Sequence, residues 1–342
     1  MPIPIENIYY LLCYAWDKLD EKDLVKVAVD DRTELLDLFT KILINGTRIV
    51  LKRGIEKSYV GETLEIAGVK GKLELSSTLK SGLFLKQRTI CSIDEFSGDI
   101  LSNQILLTTL HRLIRTRNID SSFKKQIKSL IWMLPGIRII ELNNRVFSQV
   151  RLHRNNRFYA FLIKVCHIIY QNSLPTENPG EWLFKDFLRD KHQMNRLFEA
   201  FLFNFYKKEF SAWIIRKEYI NWQFKTPVEL HRESLPCMKT DITIENKQGK
   251  LIIDAKYYQE TLKSNYNKEK IHSANLYQLF SYLLNQRNSP SAYQTRGILI
   301  YPTIENEVDL EYWYDQHQIQ IKTVNLNMNW KQIEDRLKCI VL

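Results

Sequence analysis

The sequence predicts an α/β protein built from two domains, and three observations carry that expectation. The chain has 342 residues, enough for two ordinary domains with separate cores. Apolar residues recur at helical spacing in some stretches and alternate in others. The C-terminal half runs as helix, three strands, helix and strand, the order of an α/β core with a mixed sheet, whereas the N-terminal half reads as α+β. A composition of 44% hydrophobic and 26% charged residues is globular, with no low-complexity tract and no internal repeat.

In the N-terminal half, IENIYYLLCYAW is apolar at helical spacing, with Glu6 and Asn7 near its start. A second helical pattern runs through TELLDLFTKILINGTRIVLKRGI, with Thr33 as its N-cap. YVGETLEIAGVKGKLEL then changes period, and Gly61, Gly68 and Gly71 divide it into short alternating runs, a hairpin or small sheet. Strand-like QRTICSIDEF is followed by helical DILSNQILLTTLHRLIRTR and SSFKKQIKSLIWML, the latter stopped by Pro135-Gly136. The helix FYAFLIKVCHIIYQ leads into NSLPTENPGEW, whose prolines and glycine mark the domain break. Domains of 1–180 and 186–342 follow.

The C-terminal half opens with the helix HQMNRLFEAFLFNFYKKEF. WIIRKEYINW, KTDITIE and KLIIDAKYY read as strands, the last two joined by NKQG, whose Asn and Gly suit a tight hairpin. The helix KIHSANLYQLFSYLLNQ, the strands RGILIYP and HQIQIKTVNLN, and a closing helix complete the order.

Charge and motif content narrow the function. Lys plus Arg exceed Asp plus Glu by 10 (49 against 39), a balance that favours polyanions such as nucleic acid. The five cysteines are far apart, with neither disulfide nor zinc spacing, and no apolar run approaches the ~20 residues of a membrane helix. With no signal-peptide pattern at MPIPIENIYY, a cytoplasmic protein is expected, with no membrane partner. There is no HExxH and no GxSxG, and GVKGKLE lacks the spacing and the Ser/Thr of a phosphate-binding P-loop, so the chain should not bind GTP itself.

One stretch conflicts with its surroundings. Leu251-Ile252-Ile253 reads as buried strand, yet it runs straight into Asp254, Ala255 and Lys256, and Asp241 heads the preceding apolar run. Residues two apart on a strand face the same way, so Asp254 and Lys256 project together. The hairpin can bring Asp241 beside them at a sheet edge. Two close carboxylates repel unless a proton or cation lies between them. Mg²⁺ suits such oxygen ligands, retains waters and accepts phosphate oxygens. Lys256 would orient the attacking water or stabilise the transition state. A DAK on its own reads more readily as a surface ion pair; the apolar strand, the upstream acid of the hairpin and the flanking helices reverse that reading in favour of a site.

This constellation resembles the PD-(D/E)xK nuclease motif, with Asp241 as its first acid, Asp254-Ala255-Lys256 as its second half and Thr240 where a proline is usual. The resemblance implies a restriction-endonuclease-like core in which Asp241, Asp254 and Lys256 are catalytic and the two acids hold Mg²⁺. NLYQLFSYLL is similar to the QxxxY element of RecB-like members. Gln278 and Tyr282 share a helix face there and reach substrate or the lysine, or else belong to an ordinary amphipathic helix. Glu199, in RLFEAFLF, stands where many members carry a further metal-binding acid, or else faces solvent.

Taken with IPIENIYYLLCYAW and RGIEKSYVGETLEIAGVKGKLELSSTL, the chain resembles the McrC family, the nuclease subunits of McrBC modification-dependent restriction systems, over nearly its whole length. The resemblance implies an endonuclease that cleaves double-stranded DNA containing modified cytosine. Its partner would be a McrB-like AAA+ hexamer that supplies recognition of the modified base and the required GTP. The N-terminal half would dock to that ring and stimulate its GTPase, with dimerisation through the nuclease domain or a larger complex left open. Two other readings stay open: a stand-alone RecB-like repair nuclease, and a non-catalytic DNA-binding adaptor of an AAA+ motor.

Overall fold

The computed structural model describes residues 3–17, 34–151, 157–247, 249–257, 263–265, 268–270, 272–286, 295–305 and 307–342. The chain forms two compact units, one of residues 34–185 and one that joins the start of the chain to residues 186–342. The expected domains of 1–180 and 186–342 are therefore corrected at the first boundary. Helix α1 (Ile5–Ala15) belongs to the second unit. There Asn7 donates to the carbonyls of Leu326 and Met328 (both 2.8 Å), and Tyr10 stacks on Trp330 with ring centroids 4.5 Å apart.

The first unit begins with α2 (Leu35–Arg53), capped at Glu34 without a side-chain bond. The expected cap, Thr33, lies outside the described residues. Next come β1 (Ser58–Ala67), β2 (Lys72–Leu73), α3 (Leu75–Lys80) and β3 (Arg88–Ser97). The sheet order is β1-β3-β2, and β1 pairs antiparallel with β3 over its full length, from Ser58↔Ser97 to Ala67↔Arg88. The glycine-punctuated run is thus not a hairpin closed on itself. Its second arm turns into helix at Leu75, and the long partner of β1 comes from further along the chain. Helices α4 (Leu101–Ile114), α5 (Ser121–Trp132), α6 (Asn144–Gln149) and α7 (Arg157–Gln171) follow. Phe39 and Leu43 of α2, Ile105 and Leu110 of α4, and Leu162 and Cys166 of α7 are all buried and make the core of this unit. The Pro/Gly-rich segment is the turn between β4 (Ser173–Pro175) and β5 (Trp182–Phe184), a hairpin inside the unit rather than a linker.

The second unit contains α8 (Lys191–Glu209), β6 (Ile214–Arg216), β7 (Tyr219–Ile220), β8 (Met238–Lys239), β9 (Ile242–Asn246), β10 (Gly249–Ala255), β11 (Lys263–Asn265) and β12 (Lys268–Lys270). It continues with α9 (Ser273–Leu284), β13 (Thr295–Thr303), β14 (Asp309–Tyr314), β15 (His317–Asn325) and α10 (Trp330–Val341). Six strands form the expected mixed sheet in the order β14-β15-β13-β10-β9-β6, with β13 parallel to both β10 and β15 and the other pairs antiparallel. WIIRKEYINW is two strands rather than one, broken at Lys217-Glu218, and KTDITIE is broken at Thr240-Asp241. Gly249 adopts φ 137° after the turn that joins β9 to β10, a backbone value suited to glycine.

α9 lies on the face of the sheet where Ile252, Leu299 and Ile321 pack against its Leu279 and Leu283. Gly297 sets that approach: a Cβ there would come within 3.0 Å of Leu279 and Leu283. By strand alternation Asp254 shares the face of Ile252, so the helix that covers the core also overhangs the acid.

A candidate active site at the end of the central strand

β10 is interior to the sheet, so the acids sit at the C-terminal end of a central strand rather than on an edge strand. Antiparallel pairing of Ile253 with Ile242 aligns the start of β9 with the end of β10. Asp241 then accepts a hydrogen bond from the Ala255 N–H through Oδ2 at 2.9 Å. Asp254 is 0% exposed, with the Lys256 ammonium 2.8 Å from its Oδ2 and 3.9 Å from Oδ2 of Asp241. The Lys256 N–H donates to the Ile300 carbonyl at 3.0 Å, which extends the β10–β13 ladder and holds the lysine in place. Asp241, Asp254 and Lys256 are therefore together, as their spacing led one to expect.

The electrostatics of the three are linked. Burial raises the pKa of Asp254 to about 7 against the pull of Lys256, with Asp241 and Glu199 adding repulsion. Asp241 is raised for the same leading reason, also against Lys256. Burial acts to lower the pKa of Lys256, but the two carboxylates outweigh it and hold the ammonium charged. Oδ1 of Asp254 has no hydrogen-bond donor, and Oδ2 is met only by the Lys256 ammonium at 2.8 Å. A buried carboxylate left this way has the chemistry of a cation ligand. Asp241 and Asp254 fit a hard divalent cation that keeps several waters. Among the described residues no group of three or more His, Cys, Asp and Glu side chains is placed to hold a metal unaided.

The remaining candidates surround this centre. Glu199, partly buried on α8, bonds Lys217 and acts electrostatically on both acids, but it does not complete a three-acid cluster. Gln278 donates to the Tyr282 hydroxyl at 2.7 Å, and that hydroxyl donates to the Lys239 carbonyl at 2.9 Å. The helix pair thus clamps the strand segment leading to Asp241, and neither side chain bonds Lys256. Thr240 also has a reason to stand where a proline is usual. Its N–H donates to the Glu218 carbonyl and its hydroxyl accepts from the Glu218 N–H, both at 2.9 Å, and a proline would forfeit the first of these.

Two supports were not singled out in the sequence. Asn195 accepts from the Tyr257 N–H at 2.9 Å and fixes the chain as it leaves β10. Its position four residues before Glu199, on the same helix face, was the available signal. Lys217, which partners Glu199, had no comparable signal, because it stands in the charged run Arg216-Lys217-Glu218 with no spacing that singles it out.

The family profile described as McrBC 5-methylcytosine restriction system component matches residues 6–302. The chain belongs to that family. The Escherichia coli (strain K12) protein named Type IV methyl-directed restriction enzyme EcoKMcrBC is 34% identical over 335 residues, 98% of this chain and 96% of that protein. A chain of the refined half-complex from the tetradecameric assembly of Thermococcus gammatolerans McrB AAA+ hexamers with bound McrC has a TM-score of 0.57 at 17% identity. It covers 98% of this chain and 76% of that one, and this likeness concerns the fold. No helix among the described residues is long and apolar enough to cross a membrane.

Proposed function

We propose that this restriction-system component is a Mg²⁺-dependent DNA endonuclease subunit, with its centre at Asp241, Asp254 and Lys256 in a PD-(D/E)xK arrangement. The observation that carries the reading is the fully buried Asp254, beside a second acid and a lysine, with Oδ1 lacking a hydrogen-bond donor and Oδ2 met only by the Lys256 ammonium. When bound, Mg²⁺ supplies an acidified water and offsets charge developing on phosphorus. Asp241 and Asp254 would hold it. Lys256, kept charged by both acids, orients the water and stabilises the anionic transition state, while Gln278 and Tyr282 keep the Asp241 segment in register. Glu199 tunes the two acids from α8.

The family description and the names of its relatives support a complex with a McrB-like AAA+ hexamer in 5-methylcytosine restriction; that the partner hydrolyses GTP and recognises the base in double-stranded DNA, in the cytoplasm, is the rest of the proposal. The 34–185 unit is the part assigned to docking and GTPase stimulation. It carries exposed apolar side chains on and beside its three-stranded sheet, Tyr59, Phe96 and the 93% exposed Leu85 among them. A fragment ending at 180 would lose β5 and carry α1 away from its packing partners, so 34–185 is the fragment to assay for GTPase stimulation.

The test compares methylated and unmodified duplexes with and without the partner, GTP and Mg²⁺. Cleavage is expected only of methylated DNA with all three present. Efficient cutting by this chain alone would favour a stand-alone nuclease, and stimulation without any cutting would favour an adaptor.

A further inference from the structure

A tyrosine paired with the strand that leads to Asp241 has no structural employment equal to its position. β7 pairs antiparallel with β8 so that Tyr219 lies directly opposite Lys239. The Lys239 ammonium stands 5.0 Å from the centroid of the Tyr219 ring, yet the residue remains 64% exposed. With one face occupied by the ammonium, that exposure leaves the other open to solvent. Packing does not account for a ring that buries so little of itself.

Its surroundings tie it to the site. Lys239 is exposed and stands two residues before the partly buried Asp241, on the segment that leads into the site. The Lys239 carbonyl is the group held by Tyr282. Two residues before Tyr219, Lys217 bonds Glu199, the acid whose charge acts on both Asp241 and Asp254. An exposed aromatic face and a strand-borne ammonium thus stand on the segments that lead to acids suited to a metal and a phosphate. Aromatic rings that stack bases beside cations that hold phosphates are how proteins grip single-stranded nucleic acid.

We propose that Tyr219 and Lys239 form a nucleotide subsite next to the carboxylate centre, where the ring stacks an unpaired base and the ammonium holds the adjoining phosphate. The proposal rests on the nuclease reading for its orientation toward the acids. Its consequence is that DNA enters the site locally opened, because a base on Tyr219 has left its duplex stack.

The experiment measures binding of the full chain, without divalent metal, to a short single-stranded oligodeoxynucleotide carrying one 2-aminopurine, and to the matching duplex. Tyr219→Leu is expected to weaken single-strand binding roughly tenfold and abolish the fluorescence quench, while Tyr219→Phe keeps both. Lys239→Gln is expected to flatten the dependence of log affinity on log salt by about 0.7 for the single strand. Duplex binding should change little with Tyr219→Leu. Thermal melts establish that each variant folds, and Leu against Phe isolates the aromatic face from bulk. Wild-type quench and affinity in Tyr219→Leu would overturn the subsite, as would equal losses on duplex and single strand. Failure of the two readings is separable. If the complete complex cuts DNA but Tyr219→Leu binds normally, the subsite falls and the nuclease stands; if the complex never cuts but Tyr219→Leu loses the quench, the reverse holds.

Discussion

Lys250 and Asp254 lie four residues apart on one face of β10, about 13 Å along the strand, and both are cut off from water. Their environments could hardly differ more. The Lys250 ammonium, 2% exposed, donates to Glu218 at 2.8 Å and Gln286 at 2.7 Å and lies 3.6 Å from Glu245. Glu245 in turn accepts two bonds from Arg216, at 2.9 and 2.8 Å. Asp254 has one ammonium within reach, a second carboxylate repelling it, and a pKa raised by burial to about 7. A buried charge therefore does not mark a functional site by being buried. The end of the strand where charge is compensated is structural, and the end where it is left short of partners is ready for a ligand.

The sharpest way to break this contrast is to remove the reactive end. Asp254→Ala or Lys256→Ala is expected to lower cleavage by the complete complex at least a thousandfold, about 4 kcal/mol of barrier, with folding and ring binding intact. Near-wild-type cutting by either variant would remove the assignment.

The structural end should behave in the opposite way. Lys250→Ala leaves the buried Gln286 and the partly buried Glu218 without their donor, so a stability loss of about 3 kcal/mol is expected in urea unfolding. Cleavage per folded molecule should stay near wild type. A stable variant with lost cleavage would mean that the Lys250 cluster belongs to the mechanism.

Between these lies Asp254→Asn in the metal-free protein. Because the folded-state pKa is raised above the ordinary value, the folded form binds that proton more tightly than the unfolded chain does. Stability from this group is complete below about pH 4 and is lost as pH rises through about 7. Asparagine removes the loss, so the variant should be more stable than wild type by roughly 1–3 kcal/mol at pH 8, the gap closing toward pH 4. Melting curves across that range check it, and a gap that grows toward low pH would contradict the environment described. Metal binding should show the same group from the other side, with Mg²⁺ affinity measured by calorimetry falling as pH drops below about 7.

The smallest effect concerns the clamp. Tyr282→Phe deletes the hydroxyl between Gln278 and the Lys239 carbonyl and should cost about 1 kcal/mol of stability, with only a modest change in cutting. A hundredfold loss of cleavage at full stability would instead place Tyr282 on the substrate.

The sequence by itself determined the features whose contacts are short in chain distance. Asp254 and Lys256 share a face because a strand has a period of two, and Gln278 meets Tyr282 because a helix brings residues four apart together. Asp241 was within reach because a tight hairpin joins its strand to the next, and those local rules sufficed to propose the centre. What only the tertiary structure decided lies beyond such rules. The amphipathic α1 had to bury its apolar stripe, but nothing in that stripe names α8 and Trp330 as what covers it. The long strand β1 required a partner, and β3 won by matching its length rather than by proximity. β14 alternates only over Asp309-Leu310-Glu311-Tyr312 and is exposed along most of its length, too short a signal by itself, and it is a strand because β15 offers it an edge. The same holds for the interior position of β10 and for Lys217 meeting Glu199. Each is a pairing between segments whose own patterns are satisfied by many partners, so burial and hydrogen-bond completion across the whole unit make the selection.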